Sequence, residues 1–221
     1  MLGLKNRVAG LNYNRPKTIQ WLNSLEQYGL RAQLLHAVIG AAVILMLALG
    51  LSFSFLPASI KGPAVMLHKG LGIWILFASL LWFLSWLQQP TPAALSTQKR
   101  PQYRLAKLVH RIMLGLCILM PLSGWVMVSA FSGNDIAIAP NLAVPALVSK
   151  DMAFGQAMLG LHILLAWILL GLLALHVSAA LYHHIYRRDP ILKRMIPRFR
   201  PPEGYYRRNF ERGIDIARKQ R

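Results

Sequence analysis

Residues 160–186 read GLHILLAWILLGLLALHVSAALYHHIY and give the strongest indication of fold in this 221-residue chain. They belong to a run of 35 residues between Asp151 and Arg187 that contains no Asp, Glu, Lys or Arg. A membrane-spanning helix needs roughly 20 predominantly apolar residues, so this run is long enough to cross a bilayer. It shows no period-2 alternation of the kind that marks barrel strands. We therefore predict a transmembrane helix near residues 156–186.

Three further uncharged windows precede this one. They hold 29, 29 and 23 residues, and they lie between Arg31 and Lys61, between Lys69 and Lys99, and between Arg111 and Asp135. We place three more spans in them, near residues 34–56, 67–87 and 108–130. The chain is 55% hydrophobic and only 14% charged, whereas soluble domains carry about 25% charged residues and disordered chains lack hydrophobicity. The fold class predicted is all-α, a four-helix transmembrane bundle.

Charge predicts the orientation of this bundle. Of the 25 Lys and Arg residues, 22 lie in residues 1–31, in the 88–111 loop and in the tail from Arg187 onwards, against 3 in the other two loops. Cytoplasmic loops carry the excess of basic residues, so both termini are expected in the cytoplasm. Most of the net charge of +18 is then a topology signal. We expect the tail to contact anionic lipid head groups and no nucleic acid.

Four of the seven histidines lie at two depths within these spans. An ionisable side chain inside a span is a functional-site hypothesis, although a histidine that hydrogen-bonds a neighbouring helix is the simpler alternative. His162 and His176 are fourteen residues apart, which is roughly 21 Å along a helix and within ~40° of one face. His36 starts the first span at the inner depth, and His68 starts the second at the outer depth. The pairs predicted are His36 with His176 and His68 with His162.

Two facing imidazoles at each depth suit two haems with bis-histidine ligation. Mononuclear zinc needs three or four close ligands, and no Asp or Glu lies within any span. The lone Cys117 also excludes cysteine-based zinc sites, iron–sulfur clusters and a disulfide scaffold. Haem is therefore the cofactor favoured, with these four histidines as its iron ligands.

A small residue one turn after each ligand would let the flat porphyrin approach the helix. Each of the four histidines has such a residue at position i+4, namely Gly40, Gly72, Ala166 and Ala180. The other three are followed there by Leu114, Arg187 and Arg188, so we exclude His110, His183 and His184 as ligands. Two interpretations of these three stay open: interfacial snorkelling, or contact with haem propionates or a quinone at the inner haem.

The segments LLHAVIG, MLHKGLG, LVHRIMLGLCILMPLSGW and GLHILLAWILLGLLALHVSAALYHHIYRRDPILKRMIP, between about Gln27 and Pro197, resemble the bacterial cytochrome b561 family. This group of four-helix di-haem proteins includes superoxide:ubiquinone oxidoreductases. The resemblance implies two haem b groups, carried onto His36, His68, His162 and His176. It also implies a multi-pass protein of the bacterial inner membrane that moves electrons between the two faces and ubiquinone.

The chain departs from the family pattern at two places. Ala37 follows the first histidine where the family usually has Trp, and Trp82 and Trp86 stand where arginines are common. The domain organisation predicted is a cytoplasmic extension over residues 1–30, a di-haem cytochrome b domain over 31–196, and a basic cytoplasmic tail over 197–221. Residues 18–28 form either a surface helix on the membrane or a plain lead-in to the first span.

The sequence is compatible with two electron-transfer functions. A third hypothesis is a structural or lipid-binding membrane protein without haem. In the first, superoxide gives an electron to the outer haem and ubiquinone receives it, with Lys69 steering the anion or simply anchoring the helix. In the second, the chain is a membrane electron-transfer subunit that serves a periplasmic or dehydrogenase redox partner docked on the outer loops. The 131–155 loop is long enough for such docking.

Overall fold

A computed structural model describes residues 20–24, 27–92, 100–189 and 191–196. Its main elements are four long helices, which we number α1 (Leu30–Ser52), α2 (Ala58–Gln88), α3 (Arg100–Ser132) and α4 (Met152–Ile185). All four are long and apolar enough to span a membrane. The shortest has 23 residues, which is roughly 35 Å and sufficient for a hydrocarbon core of ~30 Å. The prediction of an all-α four-helix transmembrane bundle is confirmed.

The helices run alternately up and down. His36, early in α1, lies beside Trp82, late in α2, and beside His176, late in α4. His68, early in α2, lies beside Phe53, directly after α1, and beside His162, early in α4. Sequential helices are therefore antiparallel, and histidines collect at both ends of the bundle.

A thin core holds the bundle together. Its buried members come from all four helices, and they are Ile39, Val43, Met46, Leu47, Ile75, Ala78, Leu116, Met120 and Leu169. Most other large apolar side chains on the helices are exposed, for example Leu81, Leu119 and Trp167. In water such surfaces would drive aggregation, whereas in a bilayer they face lipid tails that are equally apolar. The inverted distribution agrees with a membrane environment.

A β-hairpin between α3 and α4 covers one end of the bundle. Its strands are β1 (Ile136–Ala139) and β2 (Leu142–Val144), paired antiparallel. Asn141 takes a positive φ of 65° in the connecting turn, a conformation that Asn tolerates better than most residues. We call this end of the bundle the hairpin end. From the sequence alone, only a loop was expected between α3 and α4.

The hairpin packs closely on α2. A β-carbon at Gly70 would come within 2.6 Å of the Ile138 carbonyl oxygen, so only glycine allows this approach. The side chain of Ile136 is buried. On the other side, the Trp125 indole donates a hydrogen bond of 2.9 Å to the carbonyl of Pro145. The hairpin is thus fastened to both α2 and α3.

The opposite end carries residues 20–24, 27–30 and 191–196, and we call it the termini end. A 3-10 helix over Leu192–Met195 returns to α1 there. The buried Gln33 side chain donates to the carbonyl oxygens of Arg194, at 3.1 Å, and Tyr28, at 3.4 Å. Burial raises the pKa of Tyr28, although the Arg194 guanidinium over its ring acts in the opposite direction. Its phenol is therefore neutral at physiological pH.

The surface helix predicted over residues 18–28 is wrong for the described residues 20–24 and 27–28. They form a closed loop, in which the Leu30 amide donates to the Gln20 carbonyl at 2.9 Å and the Gly29 amide donates to Asn23 Oδ1, also at 2.9 Å. Asn side chains compete for backbone hydrogen bonds in this way and favour turns over helices. Residues 1–19 and the predicted basic tail, 197–221, lie outside the described part of the chain.

Candidate functional site

The four histidines predicted as ligands lie in two facing pairs. At the hairpin end, the ring centres of His68 and His162 are 6.4 Å apart. At the termini end, those of His36 and His176 are 6.0 Å apart. The pairing is the one that the helix arithmetic predicted, and α4 contributes one histidine to each pair.

These separations fit one metal atom between two imidazoles. A bond from an imidazole nitrogen to a metal is roughly 2.0–2.1 Å long, and the ring centre lies about 1.1 Å behind that nitrogen for ring bonds of ~1.33 Å. Two rings on opposite sides of one metal therefore have centres about 6.3 Å apart. Within the described ranges, no group of three or more His, Cys, Asp and Glu is arranged to hold a metal ion. Paired imidazoles leave four coordination positions for a porphyrin, so the donor set fits haem.

The hairpin-end pair opens into an apolar cavity of about 370 Å³. Both small residues predicted for this end, Gly72 and Ala166, line the cavity with His68 and His162. The hairpin closes it from above through Ile136, Ile138 and Val144. This volume falls within the range typical of ligand pockets.

Helix α3 orients the histidine of α4 at this end. His162 Nδ1 donates to the Met120 carbonyl at 3.0 Å, and the Ser123 hydroxyl lies 3.1 Å from the same nitrogen. A β-carbon at Gly124 would come within 3.0 Å of His162 Cε1, so glycine makes room for the ring. With Nδ1 carrying the proton, Nε2 of His162 is unprotonated and can bind a metal.

His68 supplies a second indication that a group binds here. Its Nδ1 is buried and has no hydrogen-bond partner among the described residues. A buried polar nitrogen without a partner is costly and requires an explanation. Opposite it, a β-carbon at Gly50 would be in ordinary contact with His68 Cε1, at 3.5 Å. The ring is held at its edge, while the cavity remains open beside it.

The termini-end pair has different neighbours. Trp82 packs edge-on against His36, with ring centres 5.8 Å apart. A β-carbon at Gly40 would meet nothing within 4 Å, so the turn after His36 is open. Trp82, one of the two tryptophans singled out in the sequence, therefore packs directly against a predicted ligand. Trp86 lies one turn after Trp82 in α2, and the Arg111 guanidinium is 5.8 Å from the centre of the Trp86 ring.

His110 is the residue whose position the sequence did not indicate. Its Nε2 lies 3.3 Å from Nδ1 of His176, and the ring centres are 5.1 Å apart. That separation is too short for a metal between the two rings. We excluded His110 as a ligand because Leu114, four residues later, is not small. That criterion considers only the next turn of the same helix, so it carries no information about contacts with a neighbouring helix. The antiparallel order of α3 and α4 could have indicated the contact, because His110 lies in the first third of α3 and His176 in the last third of α4.

The remaining candidates lie apart from the pairs. His183 donates from Nδ1 to the buried carboxylate of Asp189 at 2.5 Å. His184 lies on the last turn of α4. Lys69 lies at the hairpin end and lines the cavity next to His68. Lys69 is thus the charged side chain nearest in sequence to the cavity's histidines.

Comparison with known proteins agrees with this arrangement. The family model described as prokaryotic cytochrome b561 matches residues 27–198, which include all four helices. Cytochrome b561 homolog 2 of Escherichia coli (strain K12) is 30% identical over 183 residues, 80% of this chain and 95% of that protein. A protein of Yersinia pestis named probable superoxide oxidase CybB is 29% identical over 146 residues, 66% of this chain and 82% of that one. The chain therefore belongs to the prokaryotic cytochrome b561 family, whose members are membrane electron-transfer proteins that bind haem b.

Proposed function

We propose that the chain is a di-haem b cytochrome of the bacterial inner membrane that oxidises superoxide at the hairpin end and passes the electrons to ubiquinone. The observation that carries the proposal is the presence of two facing histidine pairs at opposite ends of α4, with ring separations of 6.4 and 6.0 Å. The name of the Yersinia pestis relative supports the choice of superoxide as donor. The positive-inside rule supports a periplasmic hairpin end and cytoplasmic termini.

His68 and His162 would hold one haem, and His36 and His176 the other. Bound haem supplies a one-electron carrier, which neither imidazole nor any other side chain here provides. The chain's own contribution is to orient the ligands and to exclude water. His162 Nδ1 keeps its proton on the Met120 carbonyl, so Nε2 stays available as a ligand. The mostly apolar side chains that line the cavity disfavour water beside the two histidines.

Superoxide is a small anion, and the hairpin end offers it a cationic approach. The connections at this end contain Lys61, Lys69 and Lys150 against Asp135 and Asp151. A local positive field raises the encounter rate of an anion with its site. Lys69 is best placed to provide it, because its side chain lines the cavity beside His68. Two superoxide anions each lose one electron and leave as O₂, and one ubiquinone takes up two electrons and two protons to become ubiquinol.

The test has two stages on the full chain purified in detergent or nanodiscs. A pyridine haemochrome assay should give two b-type haems per polypeptide, and a reduced-minus-oxidised spectrum should show low-spin α bands. A superoxide-generating system should then reduce ubiquinone at a rate that depends on the protein. The superoxide-consuming enzyme superoxide dismutase, added in excess, should abolish that reduction. Two haems without superoxide-dependent reduction would contradict the enzymatic proposal, and a protein without haem would contradict the whole site.

The exposed apolar side chains of the hairpin favour a second candidate. Leu142 is 57% exposed and Leu147 is 44% exposed, both on the segment that covers the cavity. Exposed apolar residues on an aqueous-facing segment are typical of docking surfaces. In this alternative the chain is an electron-transfer subunit, and a periplasmic or dehydrogenase partner delivers electrons through the hairpin. Replacing both leucines with serine would then abolish partner-driven haem reduction, whereas superoxide oxidation would continue.

A further inference from the structure

The two histidines of α4 use different hydrogen-bond partners at their second ring nitrogen. At the hairpin end, Nδ1 of His162 contacts the Met120 backbone carbonyl at 3.0 Å and the Ser123 hydroxyl at 3.1 Å. At the termini end, Nδ1 of His176 contacts a side chain, with His110 Nε2 at 3.3 Å. Metal-binding histidines usually donate their other N–H to such a partner, which fixes the ring and raises its basicity. The partner at the termini end is therefore one that a single substitution can remove.

The tautomer of this contact follows from the role of His176. If Nε2 of His176 binds iron, its proton must lie on Nδ1, and that N–H donates to Nε2 of His110. His110 then carries its own proton on Nδ1. His36 is a second ring neighbour of His176, with ring centres 6.0 Å apart. His110 is an exposed side chain of α3, and the contact reaches His176 from outside the predicted ligand pair.

We propose that His110 is a positioning residue for the termini-end haem, which acts through His176 by accepting the hydrogen of its Nδ1. This inference rests on the proposed function, because it requires His176 to be an iron ligand. A hydrogen-bond acceptor at Nδ1 increases electron donation from Nε2 and favours oxidised iron. Loss of the acceptor should therefore raise the midpoint potential of the termini-end haem. The hairpin-end haem should be unaffected, since its ligand relies on Met120.

A pair of variants with side chains of similar length separates hydrogen bonding from packing. His110→Leu fills the space without an acceptor, whereas His110→Gln offers a carbonyl oxygen at about the position of Nε2. Redox titration and electron paramagnetic resonance of the purified holoprotein provide the readouts. The His36→Ala variant, expected to hold only the hairpin-end haem, identifies which potential belongs to which site. We expect His110→Leu to keep two haems, to raise one midpoint potential and to shift one low-spin signal. In His110→Gln, that potential and that signal should return toward their wild-type values.

Three results would overturn the inference. Unchanged potentials and signals in His110→Leu would show that the contact does not act on the haem. Equal shifts in His110→Leu and His110→Gln would show that packing is responsible. Loss of a haem in His110→Leu, with both haems retained in His36→Ala, would make His110 the ligand itself. A wild-type protein with fewer than two haems would instead overturn the proposed function, and the inference with it.

Discussion

The hairpin end and the termini end of the bundle use the same pair of residues in different surroundings. At the hairpin end, His68 and His162 line a cavity beneath the hairpin, and α3 positions His162 through the Met120 carbonyl, the Ser123 hydroxyl and the space left by Gly124. At the termini end, His36 and His176 are surrounded by side chains, those of Trp82 and His110. Backbone partners survive most substitutions, whereas side-chain partners can be exchanged. The hairpin end therefore offers an apolar cavity beside its histidines, whereas the surroundings of the termini-end pair can be altered by single side-chain substitutions.

The largest effect should come from removing one histidine of each pair. His68→Ala should lose only the hairpin-end haem, and His36→Ala only the termini-end haem, because each variant removes one of the two axial ligands of a single site. The measurement is the haemochrome count, which should fall from two to one in each variant. The two remaining spectra should differ from each other. Loss of both haems, or of neither, would contradict two independent sites.

A substitution at Gly40 tests whether a porphyrin ring lies against the helix turn that follows His36. A β-carbon there meets no protein atom within 4 Å, so Gly40→Leu should not clash with the chain and should gain up to ~1 kcal/mol of helix propensity. We nevertheless expect this variant to lose the termini-end haem, because the leucine would occupy the space of the ring. Haem count and thermal melting are the measurements.

Gly160 provides the matched control for that variant. It also lies within a helix, and a β-carbon there likewise meets nothing within 4 Å. Gly160→Leu should keep both haems, because it does not lie one turn after a predicted ligand. If Gly40→Leu also keeps both haems with unchanged spectra, the small-residue argument fails at the termini end.

Lys69 should have a smaller effect, confined to the hairpin end. Lys69→Gln removes one positive charge from the cavity wall, so the rate of superoxide oxidation at low salt should fall roughly two- to fivefold. The dependence of that rate on ionic strength should weaken as well, because less of it is electrostatic. Lys150→Gln is the control, since Lys150 does not line the cavity. Equal losses in the two variants would indicate a diffuse field, and no loss in either would remove steering from the proposal.

The four helices could be predicted because hydrocarbon imposes strict requirements on length and charge. Their bounds were less accurate. The second span was placed at 67–87, whereas α2 occupies Ala58–Gln88. The uncharged window began at Lys69 and placed the start of the predicted span there, but Lys61 and Lys69 both lie in the first third or so of the helix Ala58–Gln88. Long basic side chains can extend to the interface from a helix end, so a charge does not mark where a helix begins.

Hydrophobic periodicity could not predict the hairpin or the closed N-terminal loop, for a different reason. Strands of three and four residues are too short to display a pattern, although Pro140 and Asn141 are turn formers. In residues 18–28 the apolar pattern suggested a helix, but the bonds of Gln20 and Asn23 to the start of α1 override it. Both segments are determined by tertiary contacts that the local sequence does not contain.

The pairing of histidines was predictable because fourteen residues is nearly a whole number of helical turns. The position of His110 beside His176 was not, because it depends on the rotation of α3 relative to α4. The position of Gly124 shows the same dependence. Gly124 makes room for a histidine on the next helix, and the sequence around Gly124 gives no indication of this contact.

The smallest effect should come from the cap that fixes the start of α4. Asp151 accepts a hydrogen bond from the Phe154 amide at 3.0 Å, while its own amide donates to the Ala130 carbonyl at 2.9 Å. Asp151→Ala should cost about 1 kcal/mol, which lowers the melting temperature by roughly 2–4 °C for a chain of this size. Asp151→Asn keeps an N-cap acceptor and should melt near wild type. Both variants should keep both haems with unchanged spectra, because the cap lies eleven residues before His162. If Asp151→Ala, but not Asp151→Asn, changes the spectrum of the hairpin-end haem, the position of His162 in the bundle depends on this cap. The cap would then position the first histidine of α4 without affecting the second.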